Sequence, residues 1–154
     1  MSVGRPMANY AASRRCGDFI LLSGVVAVDP TRHKIVGSYE DIPAAAQDAL
    51  RGLGFVTGQM SVDVFEAPIV AQSWFVLDRI RQLVAEHGGA MNDAVKLVQY
   101  FRNLSHYALY NRVRGLFYPE QPPVSTVVEV PRFLPSDEVL VEVEATVYLP
   151  QRGL

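Results

Sequence analysis

A chain of 154 residues that is 49% hydrophobic and 19% charged is one domain's worth of sequence, with enough apolar material for a single core and too little charge to stay disordered. Its net charge of −2 offers no basic field for a phosphate backbone, so nucleic acid is not an expected partner. Cys16 is the lone cysteine and suits a reducing compartment, and no apolar run reaches the roughly 18 residues of a membrane span. The start Met1-Ser2-Val3-Gly4-Arg5-Pro6 also lacks an apolar leader, so the expectation is a soluble, unprocessed cytoplasmic protein with no membrane partner.

The first apolar run, Asp18-Phe19-Ile20-Leu21-Leu22-Ser23-Gly24, continues through Val25 to Val28 and reads as two strand pieces about Ser23-Gly24, closed by the turn signal Asp29-Pro30. Residues 33–37 read as the return strand of a hairpin whose loop is 29–32. Over 41–50 a capping residue, a first-turn proline and Ala44-Ala45-Ala46 predict a short helix that Gly52 and Gly54 end. Residues 55–68 show no period and read as an ordered loop. Trp74, Leu77, Ile80 and Val84 recur at three- and four-residue spacing, which predicts the main helix over 70–87 with Gly88-Gly89 as its stop. Residues 93–101 read as a strand and 105–117 as a second helix, which Pro119, Pro122 and Pro123 forbid from continuing. Strands over 125–130 and 139–149 close the chain; the latter puts Val139, Val141, Val143, Ala145 and Val147 on one face and Leu140, Glu142, Glu144, Thr146 and Tyr148 on the other. This order suggests an α+β layer, one sheet with helices on one face.

Several of these pieces carry a resemblance: Tyr10 ahead of residues 17–24, the helix near Gln72, Asp93-Ala94-Val95-Lys96, Tyr107-Ala108-Leu109-Tyr110-Asn111, residues 123–130, and Glu142-Val143-Glu144-Ala145. In order and spacing the chain resembles the RidA family, the reactive intermediate deaminases also called the YjgF family. The resemblance implies a chorismate-mutase-like α+β fold, a single sheet with two main helices on one face, assembled as a homotrimer with three clefts at subunit interfaces. It further implies hydrolysis of enamines and imines to a keto acid and ammonia without metal or organic cofactor. An arginine in a Pro-Ala-Arg-Ser motif holds the substrate carboxylate in that family. Anchored on Val128-Glu129-Val130, the motif here reads Pro123-Val124-Ser125-Thr126, with Ser125 in the place of the arginine. A serine cannot make the bidentate, charge-assisted contact, so altered substrate specificity is expected of a divergent member. Arg112 and Arg132 are the nearest other cations in sequence. Residues 38–71 are longer than the family's link and read as an insert, which the family's topology would set at the cleft rim or, as the plain alternative, only on the trimer's outer surface.

Glu144 matches the family's acidic residue and is the expected proton relay for hydrolysis of a C=N bond. Glu142 lies about 7 Å away on the same strand face; the plain alternative for both is a solvated face that deters edge pairing. Tyr10 and Asn111 match cleft positions, where a phenol and an amide orient a polar ligand. Ser125 and Thr126 offer hydroxyls, or else satisfy backbone around Pro122-Pro123. Gly24 allows a ligand, or simply a bulge, to approach the backbone. Cys16, His33, His87 and His106 have no metal-ligand spacing, and no Gly-x-Ser-x-Gly elbow occurs. Three readings follow: a small-molecule hydrolase of deaminase type, a non-catalytic metabolite-binding trimer, and, with least support from the charge, an endoribonuclease or translation inhibitor.

Overall fold

The stretch with the cleanest alternation becomes the centre of the sheet. In the computed structural model, which describes residues 6–152, strand β8 (Val141–Tyr148) buries every second residue. It pairs antiparallel with β6 (Ala94–Phe101) on one side and with β2 (Phe19–Leu22) and the short β3 (Val25–Val26) on the other. Strand β1 (Ser13–Cys16) closes one edge as a hairpin with β2, its turn made by Gly17 at φ +62°, a conformation open to glycine at little cost. Strand β7 (Val124–Glu129) closes the other edge, parallel to β6, because helix α3 (Tyr107–Phe117) lies in the crossover between them. The sheet order is β1-β2-β8-β6-β7, with β3 beside β8. Strands β4 (Val28–Asp29) and β5 (Lys34–Ile35) form the separate small hairpin predicted about 29–32.

Helix α2 (Met60–Glu86) covers one face of this sheet. Val76, Leu77, Ile80 and Val84 are fully buried against a floor that includes Leu97, Phe101, Val141, Val143 and Val147, each such side chain contributing about 1.5–3 kcal/mol. Trp74, partly buried, packs on the margin of this core, 6.4 Å from Phe117 ring to ring. By length and composition α2 is apolar enough to cross a membrane, longer than any apolar run the sequence suggests, yet it spends its apolar face on the sheet. Gln72, fully buried, donates to the carbonyls of Val36 (3.0 Å) and Glu138 (2.8 Å) and accepts from the Leu140 N–H (2.9 Å). One amide thus ties α2 to the small hairpin and to the run entering β8.

The expected loop over 55–68 is where the reading fails. Helix α2 begins at Met60, and Pro68 sits inside it. The helix survives its proline because the turn before it is exposed, with Val64 and Phe65 in solvent, so the carbonyl that Pro68 cannot bond can bond water. Asp63 fixes the start by accepting from the N–H groups of Thr57 and Gly58, both at 2.9 Å. Strand β1 is a second correction, since the sequence reading begins the sheet at residue 18. Helix α1 (Ala44–Gly52) stands where a short helix is expected. Its exit docks on α3: the Arg112 guanidinium lies 4.3 Å from the Phe55 ring centroid and donates to the Leu53 carbonyl.

Candidate functional site

The expected site residues divide into two groups on opposite faces of the sheet. Strand register decides this. Glu144 is opposite Val98 and Glu142 opposite Tyr100, while Thr126 is opposite Val98, so all five lie on the face that no helix covers. Ser125 is opposite Leu97 and faces the helices.

On the open face Gly24, Tyr100, Arg132, Glu142 and Glu144 line a shallow depression of about 240 Å³. The Tyr100 hydroxyl donates to Glu144 Oε1, and this bond to the carboxylate, followed by burial, pushes the phenol up to about 12. Among the described residues Glu142 has no such partner. Burial first, and then the neighbouring Glu144 charge, raise its carboxyl above the ordinary range, as both desolvation and like charge disfavour ionisation. The carboxylate rests on bare backbone: a Cβ on Gly24 would stand 2.1 Å from Glu142 Oε1. Glycine is required here by close approach rather than by backbone conformation.

Tyr10 is exposed, and with Gly24 it lines an adjoining cavity of about 460 Å³ against Arg79 of α2. Gly24 is therefore common to both hollows. The Thr126 carbonyl accepts from Gln99 Nε2 at 2.9 Å.

On the helix-covered face Asn111 and Ser125 meet through a residue that the sequence reading passes over. Arg114 Nη1 donates to Ser125 Oγ (3.0 Å) and Gln99 Oε1 (2.7 Å), and Nη2 to Asn111 Oδ1 (2.7 Å) and the Tyr107 hydroxyl (3.0 Å). The serine in place of the expected arginine thus has a guanidinium against it, delivered from α3. A signal was available: residues 107, 110, 111 and 114 are at i, i+3, i+4 and i+7, one helix stripe. Of the two cations nearest in sequence, Arg112 is engaged with Phe55 and Leu53, and Arg132 lines the carboxylate depression. Among the described residues no group of three or more His, Cys, Asp or Glu could hold a metal ion.

One mixed sheet with helices on a single face, carboxylates on its bare side and a caged guanidinium under its edge strand, defines a small α+β protein with polar clusters on both sides of one layer. The family model described as endoribonuclease L-PSP matches residues 46–149, and the chain belongs to that family, whose members include the RidA, YjgF and RutC proteins. Among solved structures, a candidate endoribonuclease from Klebsiella pneumoniae is 56% identical with a TM-score of 0.86, over 92% of this chain and all of that one. RidA from an Antarctic Psychrobacter shares the fold at 20% identity and a TM-score of 0.70, covering 94% of this chain and 92% of its own. A RutC family protein of Pyrococcus abyssi is 28% identical over 144 residues, which is 94% of this chain and 89% of that protein.

Proposed function

We propose that the protein is a cofactor-independent hydrolase of the imine and enamine deaminase type, with altered specificity, acting in clefts between the subunits of a cytoplasmic homotrimer. The observation that carries this reading is the inequality of the two carboxyls. Glu144 is held by Tyr100, whereas Glu142, its carboxyl raised above the ordinary range by burial and by the Glu144 charge and its neighbour Gly24 bare, is the one placed to give and take a proton. The catalytic role expected of Glu144 therefore moves to Glu142, and Glu144 becomes the charge that tunes it.

In the proposed reaction Glu142 takes a proton from water as the water oxygen bonds to the C=N carbon, and the π pair passes to the nitrogen, which receives that proton from Glu142. The resulting carbinolamine then collapses: Glu142 takes the hydroxyl proton and passes it to the amine, the C–N bond breaks as C=O forms, and ammonia leaves. Imine plus water gives ketone plus ammonia, with no electrons gained or lost.

Two observations support assembly. The open face leaves Phe19, Leu21, Val124 and Tyr148 exposed, at 46%, 48%, 65% and 45%, an apolar surface of the kind that seeks a partner. The Arg114 and Glu142 groups also stand on opposite faces of one sheet, so a cleft holding both needs residues of two copies. By the same reading, residues 38–71 are an insert at the rim of that cleft, docked on α3 through Arg112. An endoribonuclease reading has the family's name behind it, but an RNA phosphate entering the depression would meet two carboxylates. A non-catalytic binding trimer is separated by turnover. Imines generated in situ from amino acids by an oxidase are the test, with ammonia release followed against time: the wild type should accelerate it and Glu142→Gln should lose about a hundredfold or more. No acceleration by an assembled wild type on any imine offered would remove the hydrolase reading.

A further inference from the structure

The larger of the two hollows that share Gly24 holds a cation without an anion. Arg79 reaches from α2 to the wall of the cavity of about 460 Å³ and is half-buried. Among the described residues no ion pair within 4.0 Å includes it. Burial lowers its pKa, although the charges of Asp29 and Glu86 pull the other way. Asp29 lines the same cavity, but its oxygens are taken by the N–H groups of Thr31 (2.9 Å) and Arg32 (3.2 Å) and by Arg32 Nε (2.9 Å). What stands beside Arg79 is a ring: the Phe75 centroid is 6.0 Å from its guanidinium carbon, within the range at which an aromatic face steadies a cation. Phe75 is not among the residues that wall this cavity, so it covers the guanidinium from the far side and leaves the other face to the hollow.

We propose that this cavity is a subsite for a neutral aromatic ring, the aryl side chain of the ligand, and that Arg79 sets the choice by lying against the face of that ring. Met7, Val25, Val28 and Leu83 give the hollow apolar walls, and its volume falls in the range of ligand pockets. Its formal charge is nil, since Arg79 and Asp29 offset each other. A carboxylate drawn to Arg79 would meet Asp29, and an alkyl chain would fill the walls but leave a desolvated cation unanswered. An aryl ring satisfies both conditions, because its face offers electron density without a charge. Gly24, which has no side chain, lines both this cavity and the Glu142 depression, so a ring in one and a C=N carbon in the other belong to a single molecule. This deepens the proposed function, on which it rests only for that link to the reacting bond.

Isothermal titration of the intact assembled protein with phenylacetamide and with cyclohexylacetamide tests the assignment, because the two probes share bulk and amide and differ in the π face. The wild type should bind the phenyl compound about 3- to 30-fold more tightly, the range of a desolvated cation–π contact. Arg79→Met keeps the apolar stem and removes the charge, and it should abolish that preference while holding the cyclohexyl compound within about twofold of wild type. Ala12→Phe, which fills the cavity from its wall, should weaken both probes by about tenfold or more and carries the test if Arg79→Met does not fold. With imines as substrates, Arg79→Met should raise KM for the imine of phenylpyruvate and leave that of 2-oxobutanoate unchanged, with kcat unmoved in both. Equal affinity of the wild type for the two probes would overturn the ring subsite, as would a phenyl preference that survives Arg79→Met or wild-type binding of both probes by Ala12→Phe. Arg79-dependent binding of phenylacetamide without turnover of any imine would leave the subsite standing and remove the hydrolase. Turnover that ignores both the ring and Arg79→Met would remove the subsite and leave the hydrolase.

Discussion

Replacing Gly24 by alanine tests whether Glu142 is seated where the geometry puts it. The added Cβ would lie 2.1 Å from Oε1, 2.9 Å from Cδ and 3.1 Å from Cγ of Glu142. Oε1 must retreat by about 1.3 Å to reach ordinary contact at 3.4 Å. The obstacle is the end of a flexible side chain, so it swings away at a cost near that of an off-rotamer side chain and mild overpacking, about 1–2 kcal/mol. For a chain of this size that is a fall in Tm of roughly 2–8 °C. In a Glu142→Ala background the collision is gone, and Gly24→Ala should be neutral or stabilise by about 0.4–1 kcal/mol through the unfolded chain. Four proteins complete the double-mutant cycle, measured by thermal melts monitored by circular dichroism and by ammonia release. The coupling should be about 1–2 kcal/mol or more, and Gly24→Ala should lose activity out of proportion to its stability. An equal Tm decrement in both backgrounds would refute the seating of Glu142 on Gly24.

Three further outcomes follow from bonds described above. Gln72→Leu strands two carbonyls and one N–H that the amide satisfies, so urea denaturation should show a loss of roughly 3 kcal/mol or more. Burial alone would raise the Asp41 carboxyl, but bonds from Lys34 Nζ (2.7 Å) and the N–H groups of Gly37 (2.8 Å) and Ser38 (3.1 Å) outweigh it and hold the group at about 2. A depressed carboxyl stabilises above its unfolded value of about 3.9 and loses that contribution as pH falls through the folded value. Asp41→Asn should therefore be weaker than wild type by about 2 kcal/mol at pH 7, with the gap nearly closed in urea melts near pH 2. Ultraviolet titration of tyrosinate should show a phenol ionising near 12 that disappears in Tyr100→Phe and moves down in Glu144→Gln, because the bond and the negative charge that raise it are weakened together.

The parts of the fold legible in the sequence are those where burial follows one period. β8 alternates between a core and a bare face, and the second half of α2 repeats Leu77, Ile80 and Val84 on its buried side, so both are readable. The first turns of α2 are not, because Met60, Val64 and Phe65 are apolar yet exposed and Pro68 argues against a helix that tertiary packing nevertheless continues. β1 is unreadable for a different reason: Ser13-Arg14-Arg15-Cys16 is an edge strand without a buried face, held by its pairing to β2. In the site, period placed Glu142 and Glu144 on one face but could not rank them, since their difference lies in Tyr100 on the neighbouring strand and in Gly24 from β3's entrance. Ser125 was legible as a departure from the family motif. That a guanidinium from α3 reaches it depends on the crossover between β6 and β7, which no local spacing encodes.

Position 99 has a consequence for which residues the chain can accept. The orientation of the Gln99 amide is forced, since its oxygen alone can receive the Tyr110 hydroxyl and Arg114 and its nitrogen alone can serve the Leu97 and Thr126 carbonyls. Glutamate, of the same shape, would turn those last contacts into repulsions between oxygens and would cancel the charge of Arg114. Leucine or methionine would leave the buried Tyr110 hydroxyl without an acceptor. A side chain wholly inside the core, and out of reach of any ligand, thereby becomes as intolerant of exchange as a residue that touches one: a drift by a single atom, from NH2 to oxygen, would erase a positive field without altering the shape of the surface above it.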